Sequence, residues 1–154
     1  MRIMKFPRGK GVMLLLLAAV LLCGCRHISS GMADGIYTAE AAHFDEHGWK
    51  EYITISVANN TIITVDYNAK NASGFIKSWD MQYMRVMNST SGTYPNEYTR
   101  IYAEELLVGQ SPDAVDCVTG ATHSYETFLQ LGHAVIEQAR AGDKNVVFVE
   151  FEAQ

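Results

Sequence analysis

The sequence predicts a single α+β domain in which a mainly antiparallel sheet packs against helices. Three observations predict it. Residues 49–67 alternate apolar and polar side chains around an Asn-Asn pair, as in a β-hairpin. Apolar residues then recur at helical spacing between residues 80 and 140, and a short apolar run near residue 148 has the length of one strand. Strands followed by helices and a closing strand are typical of the α+β class.

The first residues have the layout of a bacterial secretion signal. Four basic residues (Arg2, Lys5, Arg8 and Lys10) precede an almost wholly apolar run at 12–22, as in a cleaved leader. A run of about 11 apolar residues is shorter than the roughly 20 that span a bilayer. Residues 1–24 are therefore interpreted as a removed signal peptide rather than a permanent membrane helix.

A lipidation signal follows the apolar run. Residues 22–25, Leu-Cys-Gly-Cys, resemble a bacterial lipobox, whose last cysteine is lipidated and becomes the first mature residue. The resemblance implies a lipid anchor on Cys25 at the extracytoplasmic face of the cell membrane, and residues 25–33 form a short flexible linker. Cys23 is less usual than Ala or Ser at its position, so a secreted protein cut elsewhere remains the alternative.

Charge and cysteine content limit the partners of the domain predicted at residues 34–154. The whole chain has 12 basic and 17 acidic residues, a net charge of −5. Removal of the four basic residues of the leader leaves 8 basic residues against 17 acidic ones, or −9. An acidic domain repels nucleic acid and anionic lipid, so nucleic acid is excluded as a partner. Cys117 would be the remaining thiol, which leaves no internal disulfide.

Strands are predicted in the first half of the domain. Alternating residues predict strands at Trp49–Ala58 and Thr61–Tyr67, because Asn59 and Asn60 between them tolerate the positive φ angles of a two-residue hairpin turn. The segment Gly35–Ala41 is expected to pair beside this hairpin after a turn at residues 44–48. We expect an antiparallel sheet with one buried face.

Helices are predicted in the second half. Apolar residues at spacings of three and four predict helices at Asp80–Met87, Asn96–Gly109 and Tyr125–Arg140. Gly142 is expected to end the last helix. Residues 145–151 then predict a closing strand.

A short polar stretch at 116–124 lies directly before the last predicted helix. Its position places Thr122, His123 and Ser124 near the helix N-terminus, where about four backbone N–H groups lack intrahelical partners and the dipole is positive. Such a site attracts an anion. The alternative is that Thr122 or Ser124 only caps the helix.

The same stretch resembles a known signature. Residues 116–122, Asp-Cys-Val-Thr-Gly-Ala-Thr, resemble the D-x-x-[ST]-G-A-T motif of the FMN-binding domain family. This family includes flavin subunits of the sodium-translocating NADH:quinone reductase and of Rnf-type complexes. Other stretches resemble its small lipoprotein members: DGIY at 34–37, GWK at 48–50 with the hairpin, and KSWD at 77–80 with Tyr83 and Met87. The resemblance covers nearly all of the predicted domain.

The resemblance implies a covalent cofactor. In the family the last threonine of the signature carries FMN through its phosphate, and this threonine corresponds to Thr122. A separate flavin transferase attaches the FMN, and Asp116 is expected to position substrate or metal in the site of that transferase. Thr119, Gly120 and Ala121 complete the flavin-bearing loop, and the two small residues are expected to leave the approach to the hydroxyl open.

The flavin ring needs a flat, apolar slot. For the candidates Tyr83, Met84 and Met87 the alternative is packing in the core. For the candidate His123 it is an ordinary position in a loop. Cys117 is interpreted as a buried small hydrophobe. The candidates for the walls of the slot are Trp79, Tyr83, Met84, Met87 and His123.

Lys77, next to Ser78 in the KSWD stretch, is a candidate to hold the phosphate or to lie near the N1–C2 side of the ring. The alternative for Lys77 is a solvated lysine. A metal site at His43 and His47 is not expected, because Gly48 breaks the helix that would place both on one face.

The expected function is electron transfer by a lipid-anchored flavoprotein. Its FMN would pass electrons from a membrane donor to an extracytoplasmic acceptor. An electron carrier fits better than a stand-alone enzyme, since the sequence offers no paired acid and base and little room for a substrate domain. The alternative is a sensory or binding lipoprotein that holds FMN or another aromatic ligand without a covalent bond.

Overall fold

The computed structural model describes residues 31–151, so the predicted leader and Cys25 lie outside the described residues. Short 3₁₀ turns occupy Lys77–Trp79 and Pro112–Ala114. The strands are β1 (Gly35–Ala41), β2 (Lys50–Ala58), β3 (Thr61–Lys70) and β4 (Val147–Val149), and the helices are α1 (Met81–Ser91), α2 (Pro95–Gly109) and α3 (Thr122–Ala141). The predicted single α+β domain is confirmed.

The four strands form one sheet in the order β3-β2-β1-β4. Strand β2 pairs antiparallel with both β1 and β3, as predicted. Strand β4 pairs parallel with β1, so the sheet is mainly antiparallel, as predicted, with one parallel edge. The reason lies in α3, which runs back along the sheet until the Ala33 amide donates to the Ala139 carbonyl at 2.8 Å. The chain therefore enters β4 from the end where β1 begins.

One face of the sheet is buried, as the alternation predicts. Helices α2 and α3 pack on this face, while side chains on the other face are partly or fully exposed. Burial of large apolar side chains stabilises the domain by roughly 1.5–3 kcal/mol per side chain. The largest members of this core are Tyr37, Ile53, Ile55, Ile62, Tyr98, Tyr102, Leu106, Phe128, Leu131 and Val135.

The β2–β3 hairpin closes with the predicted turn. Asn59 and Asn60 have φ angles of 52° and 61°, the left-handed conformation that asparagine tolerates. The same turn holds the start of the described chain, because the Met32 amide donates to Asn60 Oδ1 at 2.6 Å and Asp34 Oδ1 accepts from the Asn59 amide at 2.8 Å. Contacts with the domain thus begin before the predicted ordered start at Asp34.

Several element ends differ from the predictions. Strand β3 continues three residues beyond Tyr67, and α1 continues to Ser91 before Gly92 ends it in a left-handed conformation. Strand β4 is only three residues long. Helix α3 begins at Thr122 instead of Tyr125 and ends, as predicted, before Gly142. The earlier start places Thr122 inside the first helical turn.

Candidate cofactor site at the start of the last helix

The loop before α3 is held against the end of α1 by Gly120. This residue has φ of 85°, and a Cβ added to it would lie 2.2 Å from the carbonyl oxygen of Ser91. Only glycine fits both the backbone conformation and the contact. The missing side chain thus serves this contact between loop and helix, whereas the sequence predicted that it opens the approach to the Thr122 hydroxyl.

Tyr102 fixes the same loop from the core side. Its hydroxyl accepts from the Val118 amide at 3.2 Å and donates to the Ala121 carbonyl at 3.3 Å. Ala121 is buried. The backbone on both sides of Gly120 is therefore positioned by packing, and this fixes where α3 begins.

Thr122 is the exposed first residue of α3. The residue that precedes it, Ala121, is the N-cap and offers no side-chain hydrogen bond to the first turn. The alternative that Thr122 or Ser124 only caps the helix is therefore wrong. His123 is exposed beside Thr122. A 20-residue helix thus presents its positive end and a free hydroxyl to solvent.

Ser124 faces inward and ties the first turn of α3 to the sheet. Its hydroxyl donates to Glu51 Oε1 at 3.1 Å and lies 3.3 Å from the Tyr98 hydroxyl. Tyr67 completes the cluster: its hydroxyl lies 2.6 Å from Glu51 Oε2 and 2.8 Å from the Ser124 carbonyl oxygen. These four residues are buried. They form a polar cluster directly beneath the predicted attachment site.

The proton count in this cluster fits a raised pKa of the Glu51 carboxyl group. The Tyr67 hydroxyl has one proton but lies against two oxygen acceptors. If Glu51 is protonated, it donates to Tyr67, and Tyr67 donates to the Ser124 carbonyl. Burial raises the pKa of Glu51, while the charge of Lys77 and the hydrogen bonds from Tyr67 and Ser124 offset part of the rise.

Lys77 is buried beside this cluster, with only 5% of its surface exposed. Its ammonium nitrogen lies 5.0 Å from the centre of the Tyr83 ring. Burial lowers the pKa of Lys77, but neighbouring Tyr98 and Glu51 outweigh it and the net shift is upward, so the lysine stays charged. The alternative of a solvated lysine is wrong.

The two residues after Lys77 differ in exposure. Ser78 is buried, accepts from Asn68 Nδ2 at 2.8 Å and offers its carbonyl to Asn96 Nδ2 at 3.4 Å. Trp79 has 64% of its surface exposed. The turn is thus fixed by Ser78 and presents a free indole to solvent.

Helix α1 carries the other candidate wall residues but contributes no buried residue. Tyr83, Met84 and Met87 are half-buried, and Met87 packs partly against the core. Core packing, the alternative for these residues, is therefore found in part for Met87, and none of the three is fully buried. Trp49 contacts the Tyr83 ring edge-on, with ring centres 6.0 Å apart.

The remaining motif residues lie on the surface of the loop. Asp116 is exposed as predicted, and its amide donates to Glu105 Oε2 at 2.8 Å. Thr119 is also exposed. Cys117 is exposed, which corrects its interpretation as a buried hydrophobe, and its sulfur lies 3.9 Å from Thr122 Oγ1. Within residues 31–151, no group of three or more His, Cys, Asp or Glu residues is arranged to hold a metal ion.

Comparison with known proteins identifies a relative. The 15 kDa lipoprotein of Treponema pallidum (strain Nichols) is 38% identical over 129 residues, which cover 84% of this chain and 90% of the relative. The chain belongs to the family of this lipoprotein. No protein-family model matches the sequence.

The fold of the lipoprotein domain has a counterpart among solved structures. The crystal structure of a protein from Clostridium perfringens is similar with a TM-score of 0.76 and 34% identity. The similarity covers 79% of this chain and 99% of the other. Within residues 31–151, no helix is both long and apolar enough to cross a membrane.

Three residues of the site, Glu51, Tyr67 and Tyr98, are not among those predicted from the sequence. One signal for Glu51 was present in the sequence. Glu51 stands two residues from Trp49 and two from Ile53 in the alternating pattern of β2, and both of these side chains are buried. A carboxyl group at a core-facing position needs a partner or a proton. Tyr67 and Tyr98 resemble ordinary core aromatics in the sequence, and only the fold brings the Tyr67 hydroxyl to Glu51 and the Tyr98 hydroxyl to Ser124.

The substitution Glu51→Gln is expected to flatten the dependence of stability on pH. A raised pKa in the folded state means that Glu51 contributes stability below its unfolded pKa, about 4.3, and that this contribution is lost as pH rises through the folded pKa. Glutamine mimics the protonated acid, because its amide can donate to Tyr67 and its oxygen can accept from Ser124. Urea unfolding between pH 4 and 8 would measure the effect.

Wild-type protein should lose up to about 1.4 kcal/mol per pH unit from this group, and Glu51→Gln should not. Glu104→Gln, an exposed site on α2, is the matched control and should keep the wild-type profile. An unchanged pH profile in Glu51→Gln would contradict a raised pKa of Glu51 in the folded protein.

Proposed function

We propose that this lipoprotein carries FMN covalently on Thr122 through a phosphoester and transfers electrons on the extracytoplasmic side of the cell membrane. The observation that most directly supports this proposal is the exposed Thr122 hydroxyl on the uncapped first turn of α3. It lies within a stretch that resembles the signature of the FMN-binding domain family. A phosphodiester at this position would bear one negative charge on the positive end of a helix.

The surrounding residues fit this group. The free N–H groups of the first turn of α3 would hold the phosphate, and the buried cation of Lys77 lies beside the cluster that anchors this turn. Exposed Trp79 and half-buried Tyr83 offer aromatic faces for an isoalloxazine ring. FMN supplies the electron-transfer chemistry when bound, and the protein supplies binding and electrostatics.

A lipid anchor and a covalent cofactor suit the same location. Cys25, outside the described residues, would hold the domain at the membrane through its lipid, and the phosphoester would prevent loss of the cofactor by dilution. The partners are a flavin transferase for maturation, a membrane electron donor and an extracytoplasmic acceptor. Membership of a lipoprotein family supports the anchor.

Peptide mass spectrometry tests the attachment. The protein should be produced with an active flavin transferase, denatured and digested, and the peptide that contains Thr122 should carry the added mass of FMN minus water. Flavin that separates from the protein on denaturation would favour the alternative, a noncovalent FMN-binding or aromatic-ligand-binding lipoprotein. An unmodified peptide in flavin-free protein would reject both forms of FMN binding.

The substitution Asp116→Ala is expected to lower flavin loading at least tenfold with little change in stability. The Asp116 carboxyl group is exposed, so its removal should change the free energy of unfolding by less than about 0.5 kcal/mol. Its proposed role lies in the transferase site. Flavin content per protein after co-expression measures the effect.

Asp113→Ala is the matched control, because Asp113 is exposed three residues earlier and pairs only with exposed His133 at 3.1 Å. This variant should load normally. Equal loading of Asp116→Ala and wild type would show that the transferase does not need this carboxylate.

A further inference from the structure

The described chain begins at the end of the domain that lies opposite Thr122. The Ala33 amide donates to the Ala139 carbonyl in the last turn of α3, and the Met32 amide donates to Asn60 in the β2–β3 turn. Helix α3 has 20 residues and is therefore about 30 Å long. We call the part around Asn60 and Ala139 the anchor end and the part around Cys117 and Thr122 the carrier end.

The length of the tether limits how the domain can face a membrane. Cys25 lies six residues before Gly31, so the intervening chain reaches at most about 20 Å. A domain that turned its carrier end to the bilayer would raise Gly31 about 30 Å above the surface, because α3 separates the two ends. The tether is too short for that orientation.

Exposed aliphatic side chains are found at the anchor end. Gln110 ties the end of α2 to the start of β3, since its side chain accepts from the Ile62 amide at 2.8 Å and donates to the Ile62 carbonyl at 3.0 Å. Beside this junction, Ile63 is 53% exposed and Leu107 is 37% exposed, and the carbonyl of Leu107 accepts from Gln110 Nε2 at 2.6 Å. Exposed aliphatic groups on an acidic domain fit the apolar part of a lipid surface rather than its charge.

We propose that the anchor end, through Ile63 and Leu107, rests on the lipid bilayer and that the carrier end points away from it. The proposal rests on the lipid anchor at Cys25 in the proposed function. It also specifies the electron donor: a membrane protein that delivers electrons to Thr122 must extend about 30 Å above the bilayer. A donor site buried in the membrane would not reach the flavin.

Site-directed spin labels test the orientation on the lipidated full chain. The protein is reconstituted in vesicles of phosphatidylethanolamine and phosphatidylglycerol. One nitroxide is placed on native Cys117, and others on Ile63→Cys and Val86→Cys in a Cys117→Ser background. Val86 is a matched control, because it is an exposed valine on α1, whose last residue touches Gly120. Collision rates with oxygen, which enters lipid, and with a water-soluble nickel chelate are then compared.

The label at Ile63 should collide at least threefold less often with the nickel chelate in vesicles than in a Cys25→Ser protein that lacks the anchor. The labels at Cys117 and Val86 should be equally accessible in both. An Ile63 label that stays water-accessible on vesicle-bound protein, or a Cys117 label that contacts lipid, would overturn the orientation while leaving the anchor intact. Wild-type protein that fails to float with the vesicles would overturn the anchor itself, and the orientation with it.

Discussion

Replacement of Thr122 by valine is expected to abolish covalent flavin completely and to leave the fold intact. Valine keeps the branched shape of threonine but lacks the hydroxyl oxygen that would bond to phosphorus. Thr122 is exposed and does not cap α3, so the free energy of unfolding should change by less than about 0.5 kcal/mol. Flavin absorbance of the denatured protein measures attachment, and urea unfolding of flavin-free protein measures stability.

The control is Thr119→Val, because Thr119 is an exposed threonine of the same loop and should not carry the cofactor. This variant should retain full flavin loading. Denaturation-resistant flavin in Thr122→Val would place the attachment on another residue. Normal loading in Thr122→Val together with loss in Thr119→Val would move the attachment to Thr119.

The hairpin and the helices could be predicted because their signals are local. Alternation in β2 and β3 and the turn at Asn59-Asn60 depend on neighbouring residues, as do the helical spacings and the stop at Gly142. The parallel pairing of β4 could not be predicted this way, because it depends on where α3 ends, beside Ala33. The start of α3 was also missed, since Thr122, His123 and Ser124 have low helix propensity and packing on Tyr102 sets the boundary.

In the candidate site, too, features set by neighbouring residues could be predicted and features set by distant packing could not. The motif around Thr122 and its exposure follow from sequence, and so does the loop position of Asp116. The inward turn of Ser124 toward Glu51 does not, because these residues are far apart in sequence and meet only when α3 packs on β2. The predicted burial of Cys117 is wrong. Cysteine is in general among the most buried residue types, but Cys117 lies on the surface of a loop, which overrides that tendency.

The substitution Gly120→Ala is expected to destabilise the domain by about 2–5 kcal/mol and to lower flavin loading. A positive φ costs alanine about 1–2 kcal/mol, and the added Cβ would lie 2.2 Å from the Ser91 carbonyl oxygen. Because the clash is with backbone, either the loop or the end of α1 must move, at a further cost of about 1–3 kcal/mol. Urea unfolding of flavin-free protein measures the first effect, and flavin content after co-expression measures the second.

Gly74→Ala separates the two costs. Gly74 has φ of 83°, close to the 85° of Gly120, but a Cβ at this position would meet no atom within 4 Å. Gly74→Ala should therefore cost only about 1–2 kcal/mol and load normally. Equal destabilisation of the two variants would show that the contact with Ser91 yields easily. In that case the position of Thr122 would depend on Tyr102 and the Glu51 cluster, and loading in Gly120→Ala should then match that of Gly74→Ala.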